Sequence, residues 1–234
     1  MTSRLTSHGS CRLGGVALTV VLAALPAAAQ TREPRLQISI GGLWGGGSPF
    51  GSQAATETRN QVGGERYTLF QTETDVEAAG GLEARLTYWV TRAVGAEIGA
   101  SWSTPRLVTR ITADAEGAPD LTAPADVAQY VIDGAAVVRL QRLALARGRV
   151  VPFLTAGIGY LRQVYEDNAL IETGTTYHAG GGALIWFQLV RRSWLKRVGA
   201  RADARWSRQD GGIAFGEKGH RTFGAFGLGA VLQF

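Results

Sequence analysis

Cysteine is almost absent from this chain. Cys11 is the only one, and it precedes a short apolar run, whereas a lipid-modified cysteine would follow it. The rest of the chain therefore has no disulfide, no thiol nucleophile and no thiolate metal ligand, and nothing in it can mispair in an oxidising compartment. Proline is light, at 7 residues. Long hydrophobic runs are missing too: after Ala29 no apolar stretch approaches the ~20 residues of a spanning helix. Nor does one sign of charge dominate. Without Arg4 and Arg12, the 24 basic residues become 22 against 19 acids, a net charge of +3. The basic residues are scattered singly along the sequence, which argues against a nucleic-acid partner. Histidines and carboxylates do not cluster at metal-ligand spacing. The Gly-rich stretch "GGLWGGG" has no following helix to cradle a phosphate. No metal and no cofactor is expected.

What is present begins with a leader. The first 15 residues carry Arg4 and Arg12 and no acid, and "VALTVVLAALPAAA", Val16 to Ala29, follows. A basic start, a short apolar core and an A-x-A end are the parts of a secretory signal peptide. Residues 1–29 are read as this cleaved segment and 30–234 as one β domain.

That domain alternates with period two. Eight strands are predicted, near 35–44, 74–88, 92–102, 127–140, 151–162, 175–189, 197–208 and 225–234. Their apolar faces include Leu36 to Trp44 on the first, Val76, Leu82, Leu86 and Tyr88 on the second, and Ile98 and Trp102 on the third. The connections alternate between long and polar, such as Gly45–Glu73 and "TADAEGAPDLTAPAD", and short, such as "WVTR". An even strand count with long loops on one side and short turns on the other is the layout of an outer-membrane barrel, with both chain ends on the periplasmic side. The fold class predicted is all-β: an eight-stranded antiparallel up-and-down transmembrane β-barrel.

The aromatics follow that layout. Trp44, Trp102, Tyr160 and Trp206 each stand eight residues along an outward-running strand from a marker near its base, which predicts one girdle. Tyr88, Trp89, Phe187, Trp194 and Phe234 are expected at the inner ends. Such rings favour the headgroup zones that flank an apolar band. The final strand, "AFGLGAVLQF", has Phe226, Leu228, Leu232 and Phe234 on one face. In a closed barrel it must pair with the first strand.

The segments "PFLTAGIGY", Pro152–Tyr160, and "GLGAVLQF", Gly227–Phe234, resemble the small outer-membrane β-barrel family of Gram-negative bacteria, the OmpA-, OmpX- and OmpW-like domains. The resemblance implies residence in the bacterial outer membrane as a monomer. It implies contact with membrane lipid and lipopolysaccharide, and biogenesis through periplasmic chaperones and the barrel-assembly machinery. It also implies that Phe226, Leu228, Leu232 and Phe234 form the assembly signal.

With the apolar face outward, the lumen receives Glu83, Arg85, Glu97, Asp133, Arg139, Arg201, Asp203 and Arg205. Seven of them, all but Asp133, fall about three to seven residues up their strands and share a layer. A barrel of eight strands is just wide enough for side chains to fill, and buried charges persist only when paired. A salt-bridged plug is expected, in a protein with a structural or surface-interaction role. Other readings stay open: a narrow channel for small solutes, a soluble lipocalin-like barrel with the faces exchanged, and a lipid A-modifying enzyme. The enzyme needs a His near lipid with a Ser in reach, and beyond the leader there are only His178 and His220. No catalytic residue is assigned.

Overall fold

The structure is a computed structural model that describes residues 35–58, 66–112, 119–165, 170–189, 194–212 and 220–234. The signal-peptide reading, 1–29, lies outside them. Among the described residues there are eleven strands: β1 (Leu36–Gly45), β2 (Ser48–Thr58), β3 (Arg66–Val76), β4 (Ala79–Trp89), β5 (Val94–Ser103), β6 (Arg106–Thr112), β7 (Leu121–Arg139), β8 (Val150–Tyr165), β9 (Leu170–Leu189), β10 (Arg197–Gly211) and β11 (His220–Gln233). Two single-turn 3₁₀ segments, Gln141–Leu143 and Ala146–Gly148, sit between β7 and β8.

All pairings are antiparallel. They run β1–β4–β5–β7–β8–β9–β10–β11 and return to β1, so eight of the strands close on themselves. The other three, β2, β3 and β6, pair with each other and with the first half of β7.

The count of eleven differs from the eight expected, for a physical reason. In β6 the adjacent Leu107 and Val108 are both buried, which breaks the alternation, and β2 and β3 are largely polar, as in "QTETD" of β3. Neither pattern gives a sustained apolar alternation, so periodicity does not reveal these strands. The predicted second strand is also split. It breaks after Val76, which is buried with Leu107 and Val127 and does not join the outward face.

Closure puts the apolar residues outside. Ile40, Ile98, Ile132 and Leu228 are 61–68 % exposed, while their polar neighbours Ser39, Glu97 and Asp133 are buried. Period two makes this choice for a whole strand at once. Trp44, Trp102, Tyr160 and Trp206 are all exposed. Trp44 pairs across β1–β11 with Phe226, ring centroids 5.7 Å apart, and Trp102 pairs across β5–β7 with Tyr130. At the opposite end lie Tyr88, Phe187 and Trp194, all exposed, and Trp194 stacks on Phe234 at 5.7 Å. Trp89 departs from this girdle. It is 3 % exposed, points inward, and donates its indole N–H to Gln37.

The closing seam is tight. A Cβ on Gly41 of β1 would lie 2.2 Å from the Leu228 carbonyl oxygen and 2.4 Å from the Gly229 Cα of β11. Gly41→Val should therefore push the closing pair apart, lowering stability by about 1–3 kcal/mol as overpacking does. Gly80→Val, with nothing within 4 Å of its Cβ position, should change little. Urea midpoints of the two refolded variants check this.

Candidate functional site

The space inside the closed strands is filled in layers. Alternation brings Glu83 and Arg85 inward from β4, Glu97 from β5, Asp133 from β7, and Arg201, Asp203 and Arg205 from β10; all are buried. Six of them form a cycle in which acid and base alternate. The Glu83 Oε2 atom meets Arg85 Nη2 at 3.0 Å, and Arg85 Nη1 donates to Glu97 Oε1 at 2.9 Å. Glu97 also accepts from Arg201 at both oxygens, at 2.5 and 3.1 Å. Arg201 Nε donates to Asp203 at 3.0 Å, and Arg205 Nε donates to the other Asp203 oxygen at 2.6 Å. Arg205 Nη2 then closes the cycle on Glu83 at 2.7 and 2.6 Å. Forked contacts of this kind are the stronger form of ion pair.

Asp133 joins from the side, through Arg85 Nη1 at 3.2 Å. Arg139 does not join. Its guanidinium donates to Gln37 at 2.9 Å and lies 3.5 Å from the Trp89 ring centroid. It stands nearer the short-turn end than the cycle and belongs to another layer.

Charges from strands that are not neighbours can meet because glycines stand between them. Arg201 on β10 is level with Gly229 on β11, Gly41 on β1 and Glu83 on β4. Two strands without side chains at this height leave room for the arginines to cross. Arg85 is likewise level with Gly99 and Asp133, and a Cβ on Gly99 would sit 2.7 Å from an Asp133 carboxylate oxygen. These glycines were not singled out from the sequence, and neither was Thr87, whose hydroxyl donates to Glu97 at 2.7 Å.

Below the cycle, toward the short turns, lies an apolar layer that the sequence reading also missed: Trp89, Val137, Val151, Phe153, Leu184, Trp186 and Val231, all buried. Its signal is a lapse in alternation. "AAVV", "VVPFL" and "ALIWF" are apolar on both faces near that end. The Arg201 guanidinium rests 4.7 Å from the Phe153 ring centroid, joining the two layers.

Above the cycle, toward the long connections, is a polar cavity. Its floor is Arg85, Asp133 and Arg205 and its walls include Gln129, His178 and Arg221, with a volume of about 70 Å³, room for a few water molecules. Arg221 donates to Gln209 at 2.6 Å and Gln129 at 3.2 Å. His178 faces Ser207 across the β9–β10 pair, and its Nε2 has no hydrogen-bond partner among the described residues. His220 is exposed at the start of β11.

The basic residues, scattered along the sequence, are gathered by the fold. Arg35, Arg92, Arg139, Arg142, Arg147, Arg149, Lys196 and Arg197 all lie at the short-turn end, and the stretches 84–96, 134–165 and 173–202 contain no Asp or Glu. Strand ends far apart in sequence meet at one end of the fold.

The chain is similar in structure to the outer membrane protein OprG from Pseudomonas aeruginosa, with a TM-score of 0.50 and 13 % identity over 86 % of this chain and 96 % of that one. It also matches Ail, the attachment invasion locus protein of Yersinia pestis, with a TM-score of 0.36 and 15 % identity over 86 % of this chain and 99 % of that one. No family model and no curated protein matches the chain.

Proposed function

We propose that this chain is an integral outer-membrane β-barrel protein. In this reading its eight closed strands cross the bilayer, its ends face the periplasm, and its lumen is plugged by the charge cycle and the apolar layer beneath it. The role is structural or surface-interacting, without catalysis. The observation that carries this is the inverted face pattern of a closed sheet: apolar side chains around the outside, carboxylates and guanidiniums within. A continuous exposed apolar band of this extent is not tolerated in water. In lipid it supplies the solvent match, and closure pairs each of the eight barrel strands on both sides.

Two further observations support the reading. Aromatics flank the apolar band at both ends. The strands β2, β3 and β6 extend the sheet on the side of the long connections, where surface contacts are made in barrels of this layout. His178, the one inward histidine among the described residues, stands in the lumen, whereas a lipid-modifying site has to face lipid.

Fractionation tests the proposal. The protein should partition with outer membranes, need detergent for extraction, and migrate differently in SDS before and after boiling. Recovery as a soluble periplasmic protein would contradict the membrane reading.

A further inference from the structure

We propose that the basic short-turn end holds an anionic phospholipid of the periplasmic leaflet, seated in the pocket between the β7–β8 turn and the facing ends of β9 and β10. The proposal rests on the membrane reading above. The pocket, of about 670 Å³, is lined by Arg139, Arg147, Arg149 and Arg197 together with Trp186 and Phe187.

The two kinds of wall fit two parts of one ligand. The guanidiniums suit a phosphate, which they bind through forked donors, and no acid occurs in the stretches that supply them. Phe187 is 66 % exposed on the outward apolar face, so a molecule whose phosphate sits among the arginines has acyl chains already lying along the barrel. A free anion would leave that apolar wall unused. The turn itself has an interfacial character. Leu143 and Leu145 are 60 and 64 % exposed beside Arg142, Arg147 and Arg149, the mix of apolar and basic groups that lies in a headgroup zone.

The backbone supports a dedicated shape. Ala146 and Arg147 hold φ of 51° and 59° ahead of Gly148 at 84°. Non-glycine residues in the left-handed region carry strain that needs a reason, and the turn that holds it supplies Arg147 and Arg149 to the pocket lining.

The test uses protein extracted from membranes in a neutral detergent, with equimolar dioleoyl phosphatidylglycerol and dioleoyl phosphatidylcholine added. Retained lipids are counted by native mass spectrometry. The wild type should retain the anionic lipid at least about tenfold over the zwitterionic one, and Arg147→Gln with Arg149→Gln should reduce this to within about twofold. Arg106→Gln with Arg110→Gln, at the opposite end, should leave the preference intact. Equal retention of the two lipids by the wild type would overturn the proposal. So would an unchanged preference in the Arg147/Arg149 variant, an equal loss in the Arg106/Arg110 variant, or displacement of the lipid by excess inorganic phosphate, which would make this a free-anion site. Recovery of the protein without detergent would overturn the membrane reading and this one with it, whereas the other results overturn this one alone.

Discussion

Arg201→Ala should destabilise the refolded barrel by about 3–5 kcal/mol, the cost of stranding a buried partner without its counter-charge. Arg201 is bound through both terminal nitrogens to Glu97 and through Nε to Asp203, and the Glu97 side chain has no solvent exposure to fall back on. Truncating the arginine leaves that carboxylate with Arg85 and Thr87 only. Urea titration in detergent, followed by tryptophan fluorescence, gives the magnitude. A double-mutant cycle with Glu97→Ala should be strongly non-additive, because the second change removes the group that the first one strands. A loss below about 1 kcal/mol would mean that the site is solvated like a surface pair.

Deleting Phe234 should reduce the amount of assembled barrel in cells several-fold, while refolding in detergent falls much less. Phe234 has two separable contributions. Its backbone N–H donates to the Leu36 carbonyl at 2.8 Å, and its ring stacks on Trp194. These contacts extend a strand already paired on both sides, so their loss in detergent is that of one hydrogen bond and one ring contact. The larger effect in cells is expected from the assembly signal that we propose for Phe226, Leu228, Leu232 and Phe234. Quantitative blotting of heat-modifiable protein in outer membranes, beside refolding yields of the same variant, separates the two. Equal losses in both would reduce Phe234 to a packing residue.

The parts of the fold that were legible in the sequence are those where water and lipid impose opposite demands on alternate residues. Leu82, Ala84 and Leu86 against Glu83, Arg85 and Thr87 separate the two faces of β4 in the sequence, and the closed sheet puts the apolar one outside. The charge layer was legible for the same reason, because position along a strand sets height and alternation sets direction. Three things escaped. The strands β2, β3 and β6 carry no sustained alternation, because β2 and β3 are largely polar and β6 buries the adjacent Leu107 and Val108, so nothing in their pattern marks them as strands. The apolar layer around Phe153 and Leu184 lies where both faces are apolar, so the inward half reads as more of the outward half. The basic end escaped because it is a property of topology: Arg92, Arg149 and Lys196 are far apart in sequence and become neighbours at one rim only when the barrel closes. Arg139 illustrates the limit within the site. It alternates correctly and points inward, but it stands lower than the cycle and pairs with Gln37 and Trp89.

The apolar layer also changes what a broken charge cycle should do. With Phe153, Leu184 and Trp186 still in place, Arg201→Ala weakens the barrel without leaving an open aqueous path. The closed lumen is the central claim, and single-channel recording in a planar bilayer tests it most directly. Wild-type protein should show no steady conductance, and Arg201→Ala should show none either while it remains folded. A large, stable, ion-selective conductance from the wild type would contradict the plug and make the channel alternative the better account.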